Sequence, residues 1–222
     1  MTSSQLFRIS GLALAVGAGV FIVHLVARSV ITAGADPATF ARQSLWVPVN
    51  LLGVLGAVLV LLGLPGMYAR MAGPSGLLGL AGVVLIALAW LFFGLFLSVY
   101  SVLVAPWLAD QAPALAAAPL PTGILITFLV AMLAELVGTV LLAIPFLRGR
   151  VAPRWVGYML PAAALLRVAG SLIAPSGPAS NLAINLLSNL GPVLLMIALG
   201  DLGFRLWVEH ALAKPGKLGT GV

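Results

Sequence analysis

The sequence lacks most of the side chains that carry out protein chemistry. It contains no cysteine, which excludes disulfides, thiolate metal sites, cysteine-ligated iron–sulfur clusters and cysteine nucleophiles. Its two histidines, His24 and His210, lie far apart in the chain and in predicted depth, so a haem held by two histidines is not expected. Paired-aspartate, histidine-cluster and phosphate-loop motifs are absent from the sequence. We therefore expect no catalytic residue, no metal and no cofactor, and an enzyme is the least favoured class.

Charge is scarce as well. Charged residues make up 7% of the chain, whereas a soluble domain carries about 25%. Hydrophobic residues make up 62% of the 222 residues, and the mean hydropathy is +1.20. A single globular core cannot bury that much apolar surface, so we expect the chain to lie among membrane lipids. The net charge of +6 does not indicate nucleic acid as a partner, because the basic residues form no stripe.

Long apolar runs dominate what remains. A helix needs about 20 apolar residues to cross the hydrocarbon layer. Six runs meet this requirement, at residues 9–31, 45–64, 77–103, 123–147, 155–173 and 181–200. Because the runs are continuous and rich in alanine and leucine, they favour helices over the short alternating segments of a β-barrel. The sequence predicts an all-α, polytopic membrane protein with six transmembrane helices over residues 1–210, and a flexible cytoplasmic tail over residues 211–222.

Proline and glycine mark the predicted ends of the middle runs. Pro65 and Gly66 are predicted to close the second run, and residues 73–76 to open the third. Pro106 is predicted to mark the exit of the third run.

The basic residues predict an orientation, because cytoplasmic loops carry an excess of lysine and arginine. On one side of the membrane the only predicted basic residues at the span ends and in the loops are Arg28 and Arg42. The other side holds Arg8, Arg70, Arg148, Arg150, Arg154, Arg205, Lys214 and Lys217. We therefore expect both termini in the cytoplasm and a multi-pass protein of the cell (inner) membrane.

Three charged residues fall inside the predicted spans. Arg28 lies near the outer end of the first, whereas Glu135 and Arg167 lie away from the span ends. Glu135 lies near the middle of the fourth run, and Arg167 lies past the middle of the fifth. Consecutive helices joined by a short loop are antiparallel neighbours, and side chains lean towards the N-terminus of their helix. Glu135 and Arg167 therefore lean towards each other, and we expect an ion pair or a shared bound polar group. The pair could serve a ligand, or it could only fix the register of the helices.

Asparagines form a second polar group. Asn181, Asn185 and Asn189 are spaced by four residues in the sixth run, beside Ser188 and close to Pro192. On a continuous helix they form one stripe, which either bonds to a neighbouring helix or lines a wet cavity.

The remaining candidates lie near the outer end of the first two runs. His24 shares a helix face with Arg28, and Asn50 lies in the outer part of the second run. The polar residues share a similar predicted depth, because nearly all of them fall between the midplane and the outer surface of the membrane. The expected ligand-binding residues are Glu135, Arg167, Asn185, Asn189, His24 and Asn50. The simplest geometry that satisfies them is a polar pocket that opens outward and is closed below.

Aromatic residues cluster in the third run. The cluster comprises Trp90, Phe92, Phe93, Phe96 and Tyr100. Such residues could line a lipophilic pocket, face lipid or fill the core.

A short motif precedes the fifth run. Residues 148–157 read R-x-R-x-x-P-R-W-x-G, which resembles an arginine–proline–aromatic–glycine pattern in uncharacterised six-helix bacterial membrane proteins. The resemblance implies an architecture and no activity. The size and helix count are also similar to the substrate-binding subunits of energy-coupling vitamin transporters, although no motif of those subunits is present.

Three functions follow from these observations. The favoured one is binding or transport of a small or lipophilic molecule through the outward-facing polar pocket. The second is a non-catalytic accessory or assembly subunit of a larger membrane complex, with a membrane protein or a second copy as partner. The third is an intramembrane enzyme.

Overall fold

The structure, a computed structural model, describes residues 3–116, 118, 121–148, 153–173 and 181–212. These residues form helices and no strands. In chain order the helices are α1 (Ser3–Thr32), α2 (Pro37–Ala41), α3 (Trp46–Trp90), a π-helix (Leu91–Phe96), α4 (Leu97–Gln111), α5 (Pro113–Ala116), α6 (Thr122–Leu147), α7 (Arg154–Ile173), α8 (Leu182–Ser188) and α9 (Leu190–Leu212).

Six helical segments of the described chain are long and apolar enough to cross a membrane, as the sequence predicts. They are Gln5–Thr32, Trp46–Gly73, Ser75–Gln111, Thr122–Leu147, Arg154–Ile173 and Leu190–Glu209, here named spans one to six. Length and hydropathy make the chain a multi-pass membrane protein. The predicted tail lies outside the described residues from position 213 onward, and α9 continues to Leu212.

Span three begins within residues 73–76, as predicted, but the end of span two differs from the prediction. Span two continues through Pro65 and Gly66 to Gly73. Gly66 serves close packing instead of a helix end, because a Cβ atom there would lie 2.2 Å from the Cβ of Ser10 in span one. The break falls at Gly76, whose φ of 55° and ψ of −147° suit glycine alone.

Pro106 does not end span three either. Helix α4 includes Pro106 and continues to Gln111. The turns on both sides of Pro106 pack on α2 and Trp46 through Ala105 and Ala109, which favours continuation of the helix.

The predicted sixth run is two helices rather than one. Asn181 caps the N-terminus of α8 by accepting a hydrogen bond from the backbone nitrogen of Ala183, and Asn189 ends that helix. Asparagine is favoured at such positions because its side chain competes for backbone groups. Pro192 lies in the first turn of α9, where no backbone N–H donor is needed. The prediction that the three asparagines lie on one continuous helix is therefore wrong.

The six spans form a closed ring in chain order. Each span packs on the next one, and span six packs on span one. Every span contributes a fully buried residue to a common core, namely Leu14, Val60, Ile86, Leu142, Leu160 and Leu195. Glycines allow the closest approaches, as where Gly11 of span one meets Gly203 of span six.

Candidate functional site

The predicted meeting of Glu135 and Arg167 is confirmed. The Nε atom of Arg167 donates to Oε1 of Glu135 at 2.7 Å, which joins span five to span four. The Glu135 side chain is 1% exposed and the Arg167 side chain 12% exposed. The two opposite charges therefore neutralise each other away from solvent.

Helical periodicity explains why Glu135 points into the bundle. Ala131, Gly138, Thr139 and Leu142 are buried on the same face of α6. The positions at i−4, i+3, i+4 and i+7 lie along one side of an α-helix, so the carboxylate faces inward with them. Burial of this face against its neighbours fixes the depth and direction of the acid.

Phe93 completes the surroundings of the guanidinium. The Cζ atom of Arg167 lies 4.5 Å from the centre of the Phe93 ring, a cation–π arrangement. Phe93 belongs to the π-helix, whose wider turn buries both Phe92 and Phe93. Single π-helical turns within α-helices occur frequently at functional sites.

Each partner of the ion pair retains one unsatisfied polar atom. Within the described part of the chain, Oε2 of Glu135 and Nη2 of Arg167 are buried and have no hydrogen-bond partner. A fully engaged arginine–carboxylate pair makes two parallel hydrogen bonds, and here only one is made. An unpaired buried polar atom costs about 1–3 kcal/mol, so a further polar group bound at this point would relieve two such costs.

Asn185 and Asn189 are held elsewhere, by the end of span one. The Nδ2 atom of Asn189 donates to Oγ of Ser29 at 3.1 Å. The Nδ2 atom of Asn185 donates to Oγ1 of Thr32 at 3.3 Å and to the Ser29 carbonyl at 3.4 Å. These bonds join Asn185 and Asn189 to span one, which is the alternative in which the asparagines bond to a neighbouring helix.

His24 and Asn50 form a third polar region, between spans one and two. The Nδ1 atom of His24 lies 2.9 Å from the carbonyl oxygen of Val49, which can only accept, so Nδ1 is the donor. Asn50 is fully buried, and its Nδ2 donates to the Trp46 carbonyl at 2.8 Å in the same helix. Its Oδ1 has no partner among the described residues.

The structure therefore divides the six predicted site residues among three places. Only Glu135 and Arg167 meet across two spans with polar atoms left open. Phe93 was not among the predicted site residues, because the cluster in span three gave no sign of which ring faces an arginine. Ser29 and Thr32 were also missed, although a serine and a threonine near the end of a span are candidate partners for asparagine.

A shallow apolar groove lies on the surface next to the Phe93 region. Its lining residues come from the π-helix and from the first turns of span four, namely Phe92, Phe96, Gly123, Ile124 and Thr127. A second cavity, at the other end of the bundle between Arg70, Arg205 and Glu209, measures about 30 Å³. That volume holds about one water molecule, so the second cavity is too small for a ligand.

Neither a metal site nor a similar protein indicates a function for the described residues. Among the residues that the structure describes, no group of three or more histidine, cysteine, aspartate or glutamate side chains could hold a metal ion. No protein-family model, curated protein or solved structure matches the chain. The resemblance of residues 148–157 stays a prediction, and residues 149–152 lie outside the described residues.

Proposed function

We propose that this membrane protein binds or transports a small or lipophilic molecule at the Glu135–Arg167 pair, in the outer half of the bundle. The proposal includes both termini in the cytoplasm and a place in the cell (inner) membrane. The distribution of arginine and lysine supports this orientation. In it, Glu135 lies near the midplane, with Arg167 reaching it from the outer side.

One observation carries the proposal. Charged side chains inside a membrane are costly, and they usually line a binding site or pathway. A pair that served only to hold two helices together would best make both of its hydrogen bonds. Here Oε2 of Glu135 and Nη2 of Arg167 remain open and buried, beside the Phe93 ring.

Small molecules that co-purify with the protein provide the test. The protein is purified in lipid nanodiscs, denatured, and the released molecules are compared by mass spectrometry. We expect a molecule on the wild type that is lost from the double variant Glu135→Leu/Arg167→Met. That variant removes both charges together, so that neither is left buried without its partner.

The matched control is the double variant Asp201→Leu/Arg205→Met. This pair also joins an Nε atom to a carboxylate at 2.7 Å, but its side chains are 25% and 46% exposed. The control should retain the bound molecule. Equal recovery from all three proteins, or an empty wild type, would contradict the proposed function.

A second candidate function is that of an accessory subunit whose span four packs on another chain. Span four is the least buried of the six, with 22% of its most apolar stretch buried against 50% for span six. Its exposed residues include Leu129, Leu133 and Val137. Because the chain has no cysteine, the variant Leu133→Cys carries a single thiol. Disulfide-linked dimers of this variant in native membranes would favour a second copy of the chain as the partner.

A further inference from the structure

We propose that the ligand of the Glu135–Arg167 pair is a lipophilic alcohol, and that its apolar part lies in the groove between the π-helix and the start of span four. The proposal rests on the proposed function and names the ligand class and the side from which it enters. Three features of the structure lead to it: the charge of the pair, the chemistry of the groove, and the aromatic contacts that join the two.

The charge of the pair selects an uncharged polar group. Glu135 and Arg167 neutralise each other, so an added anion or cation would lie in the membrane without a counter-charge. The open atoms are one acceptor, Oε2 of Glu135, and one donor, Nη2 of Arg167. A hydroxyl group both donates and accepts, so one hydroxyl can satisfy both atoms, whereas an ester or ketone oxygen can only accept.

The groove is mainly apolar. Phe92 and Phe96 stack with their ring centres 5.4 Å apart and form one wall. The hydroxyl of Thr127, on the opposite wall, donates to the carbonyl of Gly123 at 2.8 Å. Its one donor is therefore used within its own helix, and the groove suits a hydrocarbon chain or ring system.

Phe93 contacts both a wall of the groove and the guanidinium of Arg167. The Phe93 ring centre lies 5.4 Å from that of Phe92, which lines the groove, and 4.5 Å from the Cζ atom of Arg167. Phe128 packs on Phe93 with ring centres 5.2 Å apart and is only partly buried.

Distance along span four sets the length of the ligand. Eight residues separate Thr127 from Glu135, which corresponds to about 12 Å along a helix. Glu135 leans towards the N-terminus of its helix, which is the direction of the groove. A long-chain or polycyclic alcohol can therefore lie in the groove while its hydroxyl reaches the pair.

The first experiment tests the hydroxyl. Protein in nanodiscs is titrated with dioleoylglycerol, with the same molecule acetylated at its hydroxyl, and with dioleoyl phosphatidic acid, and bound lipid is counted by native mass spectrometry. Dioleoylglycerol should bind about tenfold more tightly than its acetate, as expected for the loss of a buried hydrogen bond. Equal binding of the alcohol and the acetate, or preference for phosphatidic acid, would overturn the assignment.

The second experiment tests the groove with a matched pair of glycines. A Cβ atom at Gly123 or at Gly19 would meet no atom of the described residues within 4 Å, so both positions accept a larger side chain. Gly123→Leu fills the groove and should weaken dioleoylglycerol binding about tenfold, whereas Gly19→Leu in span one should leave it unchanged. Unchanged binding by Gly123→Leu would remove the groove from the proposal.

The two proposals fail in different ways. If the co-purified molecule depends on Glu135 and Arg167 but dioleoylglycerol binds no better than its acetate, the site stands and the alcohol is wrong. If the double variant Glu135→Leu/Arg167→Met binds dioleoylglycerol as well as the wild type does, the alcohol proposal is overturned. If that variant also keeps the co-purified molecule, the pair is not the site and the proposed function is overturned too.

Discussion

Gly191 lies directly against the backbone of Arg167. A Cβ atom at position 191 would stand 2.4 Å from the backbone nitrogen of Arg167 and 2.5 Å from the carbonyl oxygen of Ala163. Span five can therefore approach the start of span six only because residue 191 has no side chain. This contact holds the helix that carries Arg167 at the depth where its guanidinium reaches Glu135.

Gly191→Ala should force spans five and six apart. We expect a loss of about 1–3 kcal/mol in unfolding free energy, as for other overpacked sites. Thermal unfolding followed by circular dichroism in detergent measures the effect. Gly19→Ala is the control, because a Cβ there meets no described atom within 4 Å; equal melting temperatures for the two variants would refute the close packing.

Removing one partner of the ion pair should cost more than removing both. Arg167→Met leaves the Glu135 carboxylate buried alone, and breaking a buried pair in this way costs about 3–5 kcal/mol. The double variant Glu135→Leu/Arg167→Met should recover most of that loss. Unfolding free energies of the single and double variants provide the comparison, and a double variant less stable than Arg167→Met would argue against the pairing.

The bond between Asn189 and Ser29 should contribute little to stability. Hydrogen bonds between membrane helices average about 0.6 kcal/mol, and this one joins Nδ2 to Oγ at 3.1 Å. A double-mutant cycle with Asn189→Ala and Ser29→Ala should give a coupling energy of that size. These variants should retain any molecule bound at Glu135, and its loss from Asn189→Ala would place Asn189 back in the site.

Any residue with a side chain at position 76 should destabilise the protein. The φ of 55° with a ψ of −147° at Gly76 costs a residue with a side chain about 1–3 kcal/mol. Gly76→Ala should lower the melting temperature accordingly. Gly73→Ala is a close control, since that glycine has an ordinary helical backbone and open space around it in the described structure; the exchange should be neutral or slightly stabilising. Equal destabilisation by both would refute the backbone argument.

Composition and depth were enough to predict six spans and the meeting of Glu135 with Arg167. Hydropathy determines which segments enter lipid, and a short connection makes spans four and five antiparallel neighbours. Arg167 could then be predicted as the partner of Glu135, because only spans four and five carry charged residues near the middle of the membrane. The predicted orientation and ligand role stay predictions.

Local backbone geometry could not be predicted in the same way. The π-helix shifts the phase of span three, so an α-helical projection does not show that Phe92 and Phe93 are both buried. Asn181 caps α8 and Asn189 ends it, so the three asparagines do not lie on one continuous helix, although Asn185 and Asn189 both bond to the end of span one. Pro65 and Gly66 indicate a turn in soluble chains, but here Gly66 makes room for Ser10.

The ring order of the spans has a consequence for biosynthesis. Span one contacts span two and span six, and its contact with span six, where Gly11 meets Gly203, can form only after α9 has been synthesised. Spans four and five are neighbours in the chain, so Glu135 and Arg167 can neutralise each other before spans one and six come into contact. The charges of Glu135 and Arg167 can therefore be matched early during membrane insertion, before the last span is made.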